Sequence, residues 1–322
     1  MHRLILGFIL VPWISTPVRA QYGFLSEGFG RAQLIKFTES WKGPRFDDGR
    51  PKVSDELLNR LRDLSSEEAA WGPTRRAGYL HQWEGNWLIL NPQKRLVGRA
   101  FTCVFMPGRP DVSAVTERDA RNKNLVQHNI RVMDLLQPGD VLVADMGGKV
   151  ADSVVAGDNL AVAVFQRTGN GFVVDGGIRD RDGIEPEGYP VYARGTHPSI
   201  FGDLMLAGVN IPVRIGDVTV VPGDVIVGDT EGVSVVPPHL AQMLADKAEL
   251  IRVIDDWRKS IFKTPGNKYK PGEVYGTYSM QNPVLQRQCE VVKKHYGTRI
   301  IPWGTMFHET CRPPIPAAKK QP

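Results

Sequence analysis

Two short segments carry residue types at spacings that suit chemistry. The first is Ala156-Gly157-Asp158-Asn159-Leu160-Ala161, which opens an apolar helical run. Glycine lets another group approach the backbone closely, and Asp and Asn suit the start of a helix. A helix start offers free N–H groups and the positive end of the dipole, so it can hold a carboxylate or a phosphate. The plain alternative is an ordinary N-cap. The second segment is Phe172-Val-Val-Asp-Gly-Gly-Ile-Arg179-Asp180-Arg181-Asp182-Gly183. A buried strand ends in Gly176-Gly177, and Arg179 and Asp180 follow directly. Arginine supplies a planar fork for a carboxylate, and aspartate a hard oxygen for Mg²⁺. The plain alternative is a solvated, charged turn. Taken singly, each segment favours its plain alternative. Other chemical patterns fail. GxxxxGK[ST], HExxH and GxSxG are absent. Gly169-Asn-Gly171 lacks the third glycine of a dinucleotide loop and runs into a strand, and the seven histidines show no metal-ligand spacing.

The elements that must position these segments are short and mixed. Up to about residue 237, β-branched runs alternate with Gly, Pro and Asp. Strands are predicted over 98–105, 140–145, 171–175, 190–194, 211–215, 218–221, 224–228 and 232–236. Helices are predicted over 124–136, 158–168, 239–258 and near 282–295. The third carries Leu240, Met243, Leu244, Ala248, Ile251 and Ile254 as an amphipathic stripe. Ser54 caps a further helix through Asp55-Glu56-Leu57-Leu58. This intermixing reads as an α/β fold. Pro138-Gly-Asp-Val-Leu-Val-Ala-Asp145 recurs as Pro222-Gly-Asp-Val-Ile-Val-Gly-Asp229, which predicts two equivalent tight turns, each feeding a buried strand.

Length and composition bound the rest. The chain has 322 residues, 42% hydrophobic and 23% charged, enough to bury a sizeable core and too apolar for general disorder. Met1-His2-Arg3, the apolar run from Leu4 to Ile14, and Val18-Arg19-Ala20 follow the order of a secretory signal, with cleavage expected before Gln21. The expectation is an exported protein, periplasmic or extracellular, with no membrane span, since no later stretch reaches about 18 uninterrupted apolar residues. Without Arg3 and Arg19 the balance is 38 basic to 35 acidic residues. No basic run of the length used by nucleic-acid arms occurs, so no nucleic acid is expected as partner. Of the three cysteines, Cys103 reads as a buried strand residue, whereas Cys289 and Cys311 lie in the tail and can pair.

Together the two segments carry a resemblance. Residues about 97–240 resemble the RraA-like family, which includes 4-hydroxy-4-methyl-2-oxoglutarate and oxaloacetate aldolases/decarboxylases and the RraA regulators of ribonuclease E. The matching residues are Pro138 to Asp145, Gly157-Asp-Asn-Leu160, Asp175-Gly-Gly-Ile-Arg-Asp180, Tyr189-Pro-Val-Tyr-Ala-Arg194, Pro212-Val213, Pro222 through Asp229, and Gly232-Val233. The resemblance implies an α/β/β/α sandwich with N- and C-terminal extensions, assembled as a homotrimer or hexamer with sites between subunits. The division is a signal peptide (1–20), a helical and aromatic extension (21–96), the RraA-like catalytic domain (97–261) and a C-terminal extension (262–322). The resemblance implies that Gly157, Asp158, Asn159 and Leu160 bind substrate carboxylate, that Arg179 binds substrate and acts in catalysis, and that Asp180 holds Mg²⁺, Mn²⁺ or another divalent cation. The implied chemistry is cleavage of a small-molecule keto acid through an enolate, with Asp158 or a metal-bound water moving the proton. Aldolase members follow Arg-Asp-x-x with an acid; here Gly183 holds that place, with Asp182 and Glu185 nearby. The leading expectation is an exported metal-dependent carbon–carbon lyase. The alternatives are a non-catalytic binding or regulatory module for an anionic metabolite or protein partner, and a metal-dependent isomerase or epimerase. Tyr79, Trp83 and Trp87 are expected to roof the site, to cover a subunit interface or to serve as core.

Overall fold

A computed structural model of the chain describes residues 30–122, 128–200, 202, 204–275 and 283–299. The signal-like segment and Cys311 lie outside them. The strands are β1 (Trp83–Glu84), β2 (Leu88–Leu90), β3 (Leu96–Pro107), β4 (Asp140–Asp145), β5 (Val154–Ala156), β6 (Phe172–Ile178), β7 (Val191–Thr196), β8 (Leu204–Val209), β9 (Val213–Ile215), β10 (Val218–Val220), β11 (Val225–Gly228) and β12 (Val233–Val236). The helices are α1 (Arg31–Phe37), α2 (Asp55–Leu61), α3 (Pro73–Arg76), α4 (Pro110–Asn122), α5 (His128–Asp134), α6 (Asp158–Thr168), α7 (Arg181–Ile184), α8 (Ala241–Lys263), α9 (Pro271–Tyr275) and α10 (Pro283–Tyr296).

All strands but β9 and β10 belong to one curled, mixed sheet, ordered β1-β12-β11-β3-β4-β6-β7-β2, with β8 on β3 and β5 on β6. Period-2 alternation splits its apolar residues between cores. Along β4, Leu142 and Ala144 face the layer holding Val132 of α5 and Ala161, Val164 and Phe165 of α6. Val141 and Val143 face inward, against Val213, Ile215, Ile226 and Val235. On the far side, Val225 and Val227 of β11 point outward onto Leu57 and Leu61 of α2 and Leu244 and Ala248 of α8. The order is therefore helices, sheet, sheet, helices: the α/β/β/α arrangement, with both β layers drawn from one sheet.

The two Pro-Gly-Asp turns are equivalent, as the echo predicts. Gly139 and Gly223 adopt positive φ (81° and 90°), the type II position that favours glycine. Asp140 N–H donates to Gln137 O and Asp224 N–H to Val221 O, each at 3.0 Å. In return Asp140 Oδ2 accepts Gln137 N–H (2.9 Å) and Asp224 Oδ2 accepts Val221 N–H (2.8 Å).

Several elements differ from the sequence reading. The predicted helix over 124–136 is seen as α5, with 123–127 outside the described residues, and α4 precedes it. β8, Leu204-Met-Leu-Ala-Gly-Val209, has no strand-like composition before its last residue. The edge of β3 past Cys103 recruits it, a tertiary override of local preference. The aromatic stretch lies at the sheet margins: β1 pairs β12 at one end, β2 pairs β7 at the other, and residues 85–87 join them. Trp87 packs on the inner core. Its ring lies 3.8 Å from the Arg194 guanidinium carbon, and Arg194 bonds Asp175 (2.5 Å) and Glu84 (2.8 Å).

Arg50 has no exposed surface. Its guanidinium grips Asp140 through Nη1 (2.8 Å) and Nη2 (3.3 Å), bonds Asp48, and lies against the rings of Phe46 and Phe101. Burial opposes its charge, but Asp140 and Asp48 more than offset this and raise its pKa. Arg50→Met keeps the aliphatic bulk and leaves Asp140 buried without its cation. We expect a loss of about 3–5 kcal/mol in denaturant unfolding, whereas Arg109→Ala, at the exposed Asp111 pair, leaves the midpoint unchanged.

Candidate active site

β4, β6 and β7 run parallel, so their carboxyl ends lie at one side of the sheet, where open α/β sheets bind ligands. β5 lies beside β6 and delivers the chain into α6. Gly157 is the residue before α6, in extended conformation, with no side-chain cap. The first backbone bond of the helix start runs from Ala161 N–H to Gly157 O (3.0 Å). Asn159 N–H is taken by Asp158 Oδ1 (2.7 Å). The N–H groups of Asp158 and Leu160 meet no acceptor among the described residues, and α6 is eleven residues long, so they carry the positive dipole end.

Arg179 and Asp180 leave the end of β6 directly above this helix start. Arg179 N–H donates to Ala156 O (3.1 Å), which binds the two segments at the residue before Gly157. A Cβ on Gly157 would collide with Asp180 Oδ2 and lie 2.9 Å from Arg179 Nε. The absence of a side chain there is what lets the two segments meet. Arg179 Nε pairs with Asp180 Oδ2 at 3.2 Å, with the side chains 36% and 48% exposed. A pair so open to water contributes little to stability, so a ligand carboxylate can take the guanidinium at small cost. Asp180 has φ 57° and ψ 44°, the left-handed region that aspartate tolerates better than most residues. Its carbonyl accepts Gly183 N–H (2.9 Å) and Ile184 N–H (3.2 Å), which starts α7. That turn presses Gly183 onto Asp158: a Cβ on Gly183 would lie 2.7 Å from Asp158 Oδ2 and 2.8 Å from Asp158 Cβ. The space an acid at 183 needs is taken by the Asp158 carboxylate. All six residues singled out in the sequence thus fall at one place.

Sequence reading passed over His197. The parallel register pairs Ile178 with Thr196, so Arg179 and His197 leave adjacent strands side by side. His197 N–H donates to Ile178 O (3.0 Å). Its Nδ1 contacts Ser199 Oγ (2.9 Å), which also accepts Asp152 N–H (2.9 Å). No residue spacing marks this histidine; only the register of β6 with β7 does.

Among the described residues no group of three or more His, Cys, Asp or Glu is arranged to hold a metal. The donors at hand are the carboxylates of Asp180 and Asp158. That set does not suit a caged ion, but it fits a hard cation that keeps most of its waters, as Mg²⁺ does.

The fold and this site define an α/β protein of the aldolase/RraA class. The RraA-like model, described as Aldolase/RraA, matches residues 52–235, and the chain belongs to that family. A protein of Halalkalibacterium halodurans named "Putative 4-hydroxy-4-methyl-2-oxoglutarate aldolase" is 34% identical over 131 residues, covering 40% of this chain and 61% of that protein. One of the same name from Ectopseudomonas mendocina is 34% identical over 127 residues, covering 39% of this chain and 76% of that one. Among solved structures, Streptomyces coelicolor RraAS2, described as an unusual member of the RNase ES inhibitor RraA protein family, superposes with a TM-score of 0.57 at 30% identity, over 65% of this chain and 99% of that one.

Gly157→Ala should push Arg179 and Asp180 off the helix start without unfolding the chain. We expect oxalate affinity, read by calorimetry, to fall by about tenfold, the worth of roughly one good hydrogen bond to a charged group, with the thermal midpoint little changed. Unchanged affinity would place the anion elsewhere.

Proposed function

We propose that the chain is an exported, divalent-metal-dependent carbon–carbon lyase acting on a 2-oxo acid or related keto compound. The observation that carries this reading is the meeting of an uncapped helix start with an exposed Arg–Asp pair across a side-chain-free Gly157. The free N–H groups of α6 orient a substrate carboxylate, and Arg179 offers its guanidinium to the same ligand. Cleaving the C3–C4 bond, or losing the β-carboxylate of oxaloacetate, places negative charge on the keto oxygen, and Arg179 is sited to stabilise it. Asp180, with Asp158 near, would hold the cation, which supplies Lewis-acid polarisation when bound. Asp158, which accepts Asn159 N–H and lies against Gly183, is our candidate to move the proton, with a metal-bound water as the alternative. The family resemblance supports assembly as a trimer or hexamer.

Export rests on the signal-like first twenty residues and agrees with the sulfur chemistry. Cys289 is disulfide-bonded, while Cys103 is free and buried, and disulfides persist in oxidising compartments. Among the described residues no helix is long and apolar enough to cross a membrane.

One observation favours a second reading. Gly183 stands where aldolase members carry an acid, and Asp158 leaves no room for one. A binding module that captures an anionic metabolite would need the helix start and Arg179 but no further acid.

Residues 21–322, given oxaloacetate or 4-hydroxy-4-methyl-2-oxoglutarate with Mg²⁺, should release pyruvate, and EDTA should abolish the release. Arg179→Ala and Asp180→Ala should each lower kcat/KM by about 10²-fold or more in folded protein. Near-wild-type rates in either variant would refute the assignment. Oxalate binding without any pyruvate release would establish the binding module instead.

A further inference from the structure

The two equivalent Pro-Gly-Asp turns end in carboxylates with opposite fates. Asp140 takes the buried Arg50 guanidinium, which sits against two aromatic rings, Phe46 at 4.7 Å and Phe101 at 4.9 Å. Asp224 is also buried, with 6% of its surface exposed. One of its oxygens accepts Val221 N–H, but among the described residues no cation pairs with it. It lines a cavity of about 280 Å³ beneath the N-terminal segment. Phe37, Trp41 and Tyr79 supply aromatic walls, and Thr38 and His239 also contribute to the lining. The His239 Nε2 is occupied by Tyr79 OH at 3.1 Å. Burial pushes the Asp224 carboxyl up to about 8, against the smaller opposing effect of Val221 N–H. A buried carboxyl with no partner ion either keeps its proton or takes up a cation as it ionises.

We infer that the cavity at Asp224 is a binding site for a small organic cation, an amine or guanidine, seated as Arg50 is seated on Asp140. A buried carboxylate in a lining that also carries three aromatic side chains is the pairing that recognises alkylammonium and guanidinium groups. The volume lies just below the range of about 300–1,000 Å³ typical of small-molecule pockets, which restricts the ligand to a compact one. The site lies on the α2/α8 side of the molecule, between the N-terminal segment and the Pro237-Pro238-His239 turn, and uses none of the residues of the candidate active site. Its test is therefore independent of lyase activity.

Calorimetry of residues 21–322 at pH 8 with methylguanidinium and its neutral isostere N-methylurea decides the point. We expect saturable binding of the cation at least about tenfold tighter than of the urea. Asp224→Asn keeps the acceptor for Val221 N–H and should remove that preference. Phe37→Ala, at a ring 51% exposed, should weaken the cation several-fold without moving the thermal midpoint. Equal affinity for cation and urea, absence of saturable cation binding, or an Asp224→Asn protein that keeps the preference would overturn the inference. The wild-type comparison stands even if Asp224→Asn fails to fold.

Discussion

Each edge of a strand can pair with one neighbour at a time, and this limit shapes the whole domain through β3. On one edge, residues 99–104 pair with β4. On the other, residues 96–99 pair with β11 and residues 103–107 with β8, with a register shift between Val104 and Phe105. The handover falls at residues 100–102. There Ala100 bonds the Pro-Gly-Asp turn at Gly223 and Asp224, and Thr102 bonds Asn210 and Ile211. A twelve-residue strand that changes partners must bend, and its bend lets one sheet serve as both inner layers. A bulge increases local twist, and the resulting curl brings β9 and β10 back over β4 to enclose the inner core.

The candidate site inherits its precision from that frame. Rigid parallel strands deliver Asp158, Arg179 and His197 to one edge, and main-chain bonds fix where each leaves the sheet. What remains is steric: two positions without side chains, Gly157 and Gly183, let an arginine, two aspartates and a helix start occupy one small volume. The dipole of α6 and the guanidinium give the site a positive face, and the carboxylates of Asp158 and Asp180 lie beside it. Opposed charges therefore meet in one small volume, and the proposed lyase reading rests on that meeting.

Buried charge does the anchoring elsewhere. Arg50 ties the N-terminal segment to the turn before β4, Arg99 ties α2 to that turn through Asp55 and Pro138 O, and Arg194 ties the aromatic stretch to β6. Asp229 is held ionised although burial opposes it, because Ser66, Glu231 and Gly232 donate to it. The family match begins at residue 52, so α2 and the aromatic stretch fall within it. Their packing against β3, β11 and β12 is continuous with the core.

Much of this was legible in the residues themselves. Ser54 caps α2, with its side chain accepting Leu57 N–H, because the cap and the acids of the first turn are local chemistry. The helix over 158–168 and the strand over 140–145 follow from periodicity and turn residues, which act over a few positions. The paired Pro-Gly-Asp turns were readable for the same reason. The tertiary structure decided the rest. β8 is a strand only because an open edge of β3 recruits it. His197 stands beside Arg179 only because β6 and β7 lie in parallel register. Asp140 and Asp224 sit in the same Pro-Gly-Asp-Val turn, and it is the distant Arg50 that gives one of them a cation. Contacts set by local dihedrals and side-chain periodicity are written along the chain. Contacts set by which edges, cavities and charges remain unpartnered exist only once the sheet has closed on itself.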